Sequence, residues 1–366
     1  MKYLLILLCI ISCSSSERSL PRSKKIQYDD SYTYLIVPLE VEKKLEPEEQ
    51  KFIRLINKKS TVINTWSLGF TPFYAQLDKD KNIYISGNQE FDQNKITNGT
   101  TAFLEKRSWD NKLLWRYDDK FMHHDFKILE NGNLLLIRFL PIDPGKVGIE
   151  PQKSFHMGKL WTEEIIELNP ETNKIIWSWK SHLHINIANE KSIDDRGEVF
   201  HANGIDVIDK LDSTGKPAIA ISMRSNSTIY IIDKESKKTV WKSPKNLFTH
   251  QHDPSFINGS TLLVFNNSKG YSEVIEYDFL KNEVKWQYEG SEKFFNKLQF
   301  YSPYISGAQR LNNGNTLITL GLPGLLLEVN RDKNVVWNFF NTLDENKLDT
   351  AWPYKAMFKT RAYLNK

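Results

Sequence analysis

Short runs of alternating apolar and polar residues recur along the chain, and six of them close on a tryptophan. They are STVINTW, NKLLW, NKIIW, KKTVW, NEVKW and KNVVW, ending at Trp66, Trp115, Trp177, Trp241, Trp286 and Trp337, with spacings of 49, 62, 64, 45 and 51 residues. Most follow another short apolar stretch and a polar turn, as in EEIIELNPETNKIIW and LLLEVNRDKNVVW. Such alternation around Asn, Asp, Lys and Gly predicts β-hairpins. A variable loop comes after each tryptophan, and in several units a second hairpin follows: HHDFKILENGNLLLI, QHDPSFINGSTLLVF and GAQRLNNGNTLITL. Two hairpins make four strands, and four-stranded units repeating every ~45–50 residues predict an all-β, six-bladed β-propeller.

The first unit has outer strands near residues 50–66 but no inner hairpin before them, while WPYKAMFKTRAYL near the end is strand-like and lacks a partner. Joining the N- and C-terminal strands in one blade removes two exposed edges. The segment LEPEEQKFIRLIN reads as the one helix candidate, although its tail could equally be a strand. All six tryptophans are expected as core residues between blades.

Chemistry is expected on the innermost strand of each blade, which faces the channel just ahead of the Asn-Gly turn. Aligned on that turn, His124 stands seven residues before Asn131, His252 six before Asn258, and Ser306 six before Asn312. The third unit is longer, with His201 where its inner strand should begin and Arg224 at the end of the next apolar run. Three histidines and an arginine from separate blades should then converge on one end of the channel. The other five histidines, His123, His156, His182, His184 and His250, are read as structural.

Composition narrows the partners. The 49 basic and 45 acidic residues are spread along the chain, for a net charge of +4, which argues against nucleic acid as a main partner. Cys9 and Cys13 are the only cysteines, so the folded body has no disulfide and no cysteine catalysis. MKYLLILLCIISCSSS combines a basic Lys2 with an apolar run too short to span a bilayer, the pattern of a secretion signal. Its end, Ile10-Ile11-Ser12-Cys13, resembles a bacterial lipobox, which implies lipidation at Cys13 and a membrane held through that anchor. By the same analogy, the absence of an acidic residue directly after Cys13 implies the outer membrane, facing the periplasm or the cell surface. The expected organisation is a signal peptide over residues 1–12, a tether and N-terminal extension over 13–45, and the propeller over 46–366.

Taken in order, HHDFKILENGNLLLI, VFHANGI, ISMRSNSTIYIID, QHDPSFINGSTLLVFNN and SGAQRLNNGNTLIT resemble the bacterial arylsulfate sulfotransferases over about residues 60–363. The resemblance implies a six-bladed enzyme that needs no nucleotide sulfate donor, no cofactor and no metal, acting on an aryl sulfate donor and a phenolic acceptor. It implies that His252 is the nucleophile that becomes transiently sulfated. His124, His201 and Arg224 would complete the catalytic set, with Asn203 and, on a looser match, Ser306 binding substrate. Some relatives carry a disulfide near the site and an N-terminal β-sandwich. Neither is found here, and the missing sandwich leaves open whether the chain is a homodimer.

These residue types suit sulfuryl transfer on their own terms. A neutral imidazole is a competent nucleophile, and splitting the transfer into two steps lets one site serve donor and acceptor. Arg224 can give two parallel N–H donors to sulfate oxygens, while His124, His201 and Asn203 can donate further or shuttle the phenol proton. Two alternatives stay open at this level. Three histidines could hold zinc in a metal-dependent hydrolase, against which stands the charge of the arginine. A propeller can also be a non-catalytic, lipid-anchored scaffold or ligand binder.

Overall fold

The computed structural model describes residues 31–39, 51–88, 99–190, 192–268, 270–292, 296–341 and 355–365. Its 24 strands form six four-stranded antiparallel sheets, the blades of a propeller. Five blades are continuous in sequence, over residues 71–118, 122–180, 202–242, 252–288 and 307–340. Their innermost strands are Thr71–Leu77, Met122–Ile128, Ala202–Ile208, His252–Asn258 and Gly307–Arg310. Only four short 3-10 turns, all between residues 144 and 189, interrupt the β structure among the described residues. No described helix is long and apolar enough to cross a membrane.

The sixth blade closes the ring. Its strands run, from the channel outward, Arg361–Leu364, Tyr32–Ile36, Lys51–Asn57 and Val62–Leu68. Tyr32–Ile36 pairs on one side with residues 361–364 and on the other with residues 54–57. It was expected in the N-terminal extension ending at residue 45, so the propeller begins earlier than the sequence suggested. Every residue of YTYLI is buried, which its two strand neighbours and the packing of Tyr34 on Trp337 explain. The tail of the helix candidate, Lys51–Asn57, is a strand. Cys13, the signal peptide and the tether up to residue 30 lie outside the described residues.

Blade-to-blade contact explains the recurrent tryptophan. Each blade starts its outer strand with a register shift after the turn, and the indole then reaches the corresponding turn of the next blade. Trp66 Nε1 donates to Ser108 O (3.0 Å), Trp115 to Asn173 Oδ1 (2.9 Å) and Trp177 to Lys234 O (2.8 Å). Trp286 donates to Arg331 O (3.0 Å) and Trp337 to Lys58 O (2.9 Å). Trp241 instead packs against Tyr277 and Phe279. Trp66, Trp286 and Trp337 are buried as expected of core residues, whereas Trp115, Trp177 and Trp241 are only half-buried and serve as rim staples.

A second ring of bonds runs around the channel. In every blade a polar side chain of the innermost strand accepts a backbone N–H from the innermost strand of the next: Gln76 from Ile128 (3.4 Å), Asp125 from Ile205 (2.9 Å) and Asp206 from Phe256 (2.8 Å). Asp253 accepts from Ala308 (3.0 Å), Gln309 from Ala362 (2.8 Å), and the Tyr363 hydroxyl from Leu77 (2.9 Å), which returns the ring to its start. Inner strands have no neighbour on the channel side, so these acceptors satisfy amides that would otherwise be buried and unpaired.

Candidate active site

Backbone irregularity sets up the site. The innermost strands of three successive blades break register where the candidate residues stand: between Met122 and Phe126, between Ala202 and Gly204, and between His252 and Ser255. His124, His201 and Asp253 adopt left-handed φ values of 56°, 52° and 53°. A bulge turns neighbouring side chains in different directions and re-aims them, a common device beside active sites. Two histidines therefore enter the site while the aspartate next to each turns into the scaffold.

Asp125 and Asp253 meet there with two cations from the closing segment. Lys359 Nζ lies 2.7 Å from Asp125 Oδ2 and 3.0 Å from Asp253 Oδ1, and Arg361 grips both oxygens of Asp253 at 2.5 and 2.9 Å. Burial works to raise the Asp253 pKa, but Arg361 and Lys359 outweigh it and hold the carboxyl well below the usual carboxylate range. Gly307 is required where it is, because a Cβ there would meet Asp253 Oδ2 at 2.3 Å and Lys359 Cβ at 2.8 Å.

His252 is held by its Nδ1. That nitrogen lies 2.6 Å from Asn267 Oδ1 and 3.0 Å from His250 O. The Asn267 amide nitrogen donates to Ser302 O and Ile305 O, so its oxygen must be the atom turned to His252. Two acceptors around Nδ1 fix the proton there and leave the lone pair on Nε2. Burial, and then the charge of Arg224, push the imidazole pKa down to about 3, so it is neutral at ordinary pH. Gln251, just before it, is fixed in place: its Nε2 lies within hydrogen-bonding distance of Ser222 Oγ, Met223 O and Thr228 O, while its main-chain carbonyl accepts from Asn203 Nδ2 (2.8 Å) and Ser222 Oγ.

The remaining members gather around it. His124 and His201 stand edge to face with ring centroids 4.6 Å apart, and His124 also meets the edge of Phe73 at 5.6 Å. Gly99 lets the His124 ring in, since a Cβ there would lie 1.9 Å from it. His123 stacks on Phe139 and brings its Nδ1 to 3.0 Å from His124 Nδ1. Burial, followed by the charge of His201, lowers the pKa of both. Arg224 acts electrostatically on His124 and His252; burial lowers its pKa and Glu198 raises it. His201 Nδ1 is 2.9 Å from Glu198 Oε1.

The structure thus brings together His124, His201, Arg224 and His252. Asn203 Nδ2 donates to the main-chain carbonyl of Gln251, the residue before His252. Ser306 stands apart from its expected place on the channel strand: it precedes the strand at φ 110°, donates to Ser302 Oγ (2.9 Å) and accepts from Gly321 N (3.0 Å). Its hydroxyl is used to order the loop that carries the Asn267 acceptors. Asn267, Gln251, Glu198 and His123 were missed as supporting residues. The only signals for them were the Asn-Asn pair after the strand, the glutamine beside His252 and the doubled histidine. Among the described residues, no group of three or more His, Cys, Asp or Glu side chains is arranged to hold a metal ion.

Glu163 gives a test of the electrostatics. It is fully buried, accepts the Ala202 N–H, and burial followed by the Glu198 charge raises its pKa well above the ordinary value. A raised carboxyl contributes stability that is complete below its unfolded pKa of about 4.3 and is lost as pH rises through the folded value. Glu163→Gln should therefore raise Tm by about 2–4 °C at pH 8. The gain should vanish near pH 4. A melting series that shows no pH-dependent gain would mean that Glu163 is charged in the fold.

The propeller brings imidazoles and the Arg224 guanidinium together, and the comparisons give the family. The arylsulfotransferase (ASST) family model matches residues 88–342, more than half of the chain, and the protein belongs to that family. No functionally curated protein matches the chain. Among solved structures, a protein of unknown function from Bacteroides caccae is similar at 13% identity and a TM-score of 0.56, covering 92% of this chain and 100% of that one. The Dos1 propeller is 10% identical with a TM-score of 0.43, covering 78% of this chain and 66% of that one. Apo AztD from Citrobacter koseri is 9% identical with a TM-score of 0.44, covering 92% and 99%. Membership of the family points to sulfotransferase chemistry in general.

Proposed function

We propose that this propeller moves a sulfuryl group from an aryl sulfate ester to a phenol in two steps, through a sulfohistidine at His252. The observation that carries the reading is the clamp on Nδ1, from Asn267 Oδ1 on one side and His250 O on the other. It presents a neutral ring with its lone pair on Nε2. In the first step that lone pair attacks sulfur; an N–S bond forms as the S–O bond to the aryl group breaks. In the second, the oxygen of an acceptor phenol attacks the same sulfur and the N–S bond breaks. Arg224 offsets the charge spread over the sulfate oxygens, the part an arginine plays in phosphoryl transfer.

Incubation with 4-nitrophenyl sulfate and no acceptor should release about one equivalent of 4-nitrophenol per chain in a burst. It should also leave a sulfuryl adduct on the peptide containing His252. An adduct on another residue, or turnover without any adduct, would exclude this route.

A further inference from the structure

With a poor leaving group such as unsubstituted phenol, the first step needs a proton at the aryl oxygen and the second takes one back, and the site contains several imidazoles that could supply it. Their surroundings differ. His252 Nδ1 faces an amide oxygen and a carbonyl, and His124 Nδ1 faces another imidazole. Of the three site histidines, His201 is the one with a carboxylate on Nδ1, Glu198 at 2.9 Å.

That carboxylate is built into the scaffold. Glu198 is 6% exposed and follows the turn Asp194–Gly197, whose Asp194 Oδ1 accepts the Glu198 N–H at 2.8 Å. Gly197 has φ +87°, and a Cβ there would strike Lys159 O at 2.4 Å. Backbone bonds from Trp161 N to Gly197 O and from Val199 N to Trp161 O tie the segment to blade two on both sides of Glu198. The neighbouring carboxyl, Glu163, has its pKa raised by burial and then by Glu198, which disfavours a second negative charge beside this cluster.

We propose that Glu198 is a positioning residue that makes His201 the acid–base group of the transfer, by setting its carboxylate 2.9 Å from Nδ1 and leaving Nε2 to exchange a proton with the aryl oxygen. The inference rests on the two-step reading above. The first step requires a proton on each nitrogen of His201, whose Nδ1 lies 2.9 Å from the Glu198 carboxylate. As the S–O bond breaks, the aryl oxygen takes the Nε2 proton and departs as a phenol, leaving His201 neutral with its proton on Nδ1. When the acceptor binds, its O–H gives a proton to Nε2 as its oxygen attacks sulfur, and His252 recovers its lone pair. The charged or titratable groups around His201 are Glu198, Glu163, His123, His124, His252 and Arg224, and Glu198 is the one that stands at Nδ1.

The test uses Glu198→Gln and single-turnover release of the first phenol without acceptor, from two donors. Phenyl sulfate has a leaving group that needs a proton; 4-nitrophenyl sulfate has one that does not. The variant should slow release from phenyl sulfate by about 10²-fold or more, the ordinary worth of a general acid, and change release from 4-nitrophenyl sulfate little. Glu198→Asp should fall between parent and Glu198→Gln with phenyl sulfate. Equal losses with both donors, or no loss with either, would overturn the assignment. Should Glu198→Gln fail to fold, Glu198→Asp with the same two donors decides by the same criterion. The parent's adduct keeps the two readings apart. If the parent forms no adduct at His252, the two-step route fails; an adduct in the parent with no donor dependence in the variant removes only the role of Glu198.

Discussion

His252→Asn should lower sulfuryl transfer by on the order of 10⁴-fold or more, the scale of loss when a nucleophile is removed from a site whose other parts remain. Asparagine can still donate an amide proton toward Asn267 Oδ1, so the loop carrying Ser302 and Ile305 has no reason to move. It has no ring nitrogen to carry the sulfuryl group. Steady-state rates with 4-nitrophenyl sulfate and phenol measure the loss, and a variant within tenfold of the parent would end the proposal. The same substitution has a pH signature. Burial and Arg224 hold the native imidazole at about 3, against about 6.5 in an unfolded chain. A depressed value means stability that is complete above the unfolded pKa and is lost as pH falls toward the folded one. The parent should therefore lose Tm more steeply than His252→Asn between about pH 6.5 and pH 3.

Asp253→Ala should cost about 3–5 kcal/mol of stability, the range for removing one partner of a buried ion pair. The carboxylate is 1% exposed and bridges Lys359 and Arg361, both delivered by the C-terminal segment, while also accepting the Ala308 N–H. Its loss would leave a guanidinium and an ammonium short of a counter-charge and break the ring of inner-strand bonds at the junction that closes the propeller. Asp253→Asn keeps an acceptor for Ala308 but no charge, and should fall between parent and alanine variant. Urea titration resolves the series, and an alanine variant within about 1 kcal/mol of the parent would show that closure does not depend on this cluster.

Much of the architecture was legible because the repeat is local. A hairpin needs only its own alternation and turn residues, so HHDFKILENGNLLLI and TIYIIDKESKKTVW announce their strands without reference to anything distant. The tryptophans gave the blade count for the same reason. Their partners were not legible: Trp66 reaches Ser108 and Trp337 reaches Lys58, turns that nothing in the local pattern marks. Tyr32–Ile36 was placed in the extension because its neighbours are the far end of the chain and a strand beyond a stretch of polar residues.

The site divides along the same line. By itself the sequence determined a six-bladed all-β fold and placed His124, His201 and His252 on or at the start of inner strands and Arg224 at the end of the next apolar run. Tertiary structure alone decided which nitrogen of His252 holds the proton, since that depends on Asn267, and the orientation of Asn267 depends on two carbonyls more than thirty residues further on. It also decided that Ser306 serves its own loop and that His201, alone of the three site histidines, is given Glu198. Simple strand alternation places a histidine and the aspartate after it on opposite faces, but the bulges at the strand starts set their actual directions. Periodicity records which residues are buried together; the polar partner of a buried side chain is set by where the backbone bends.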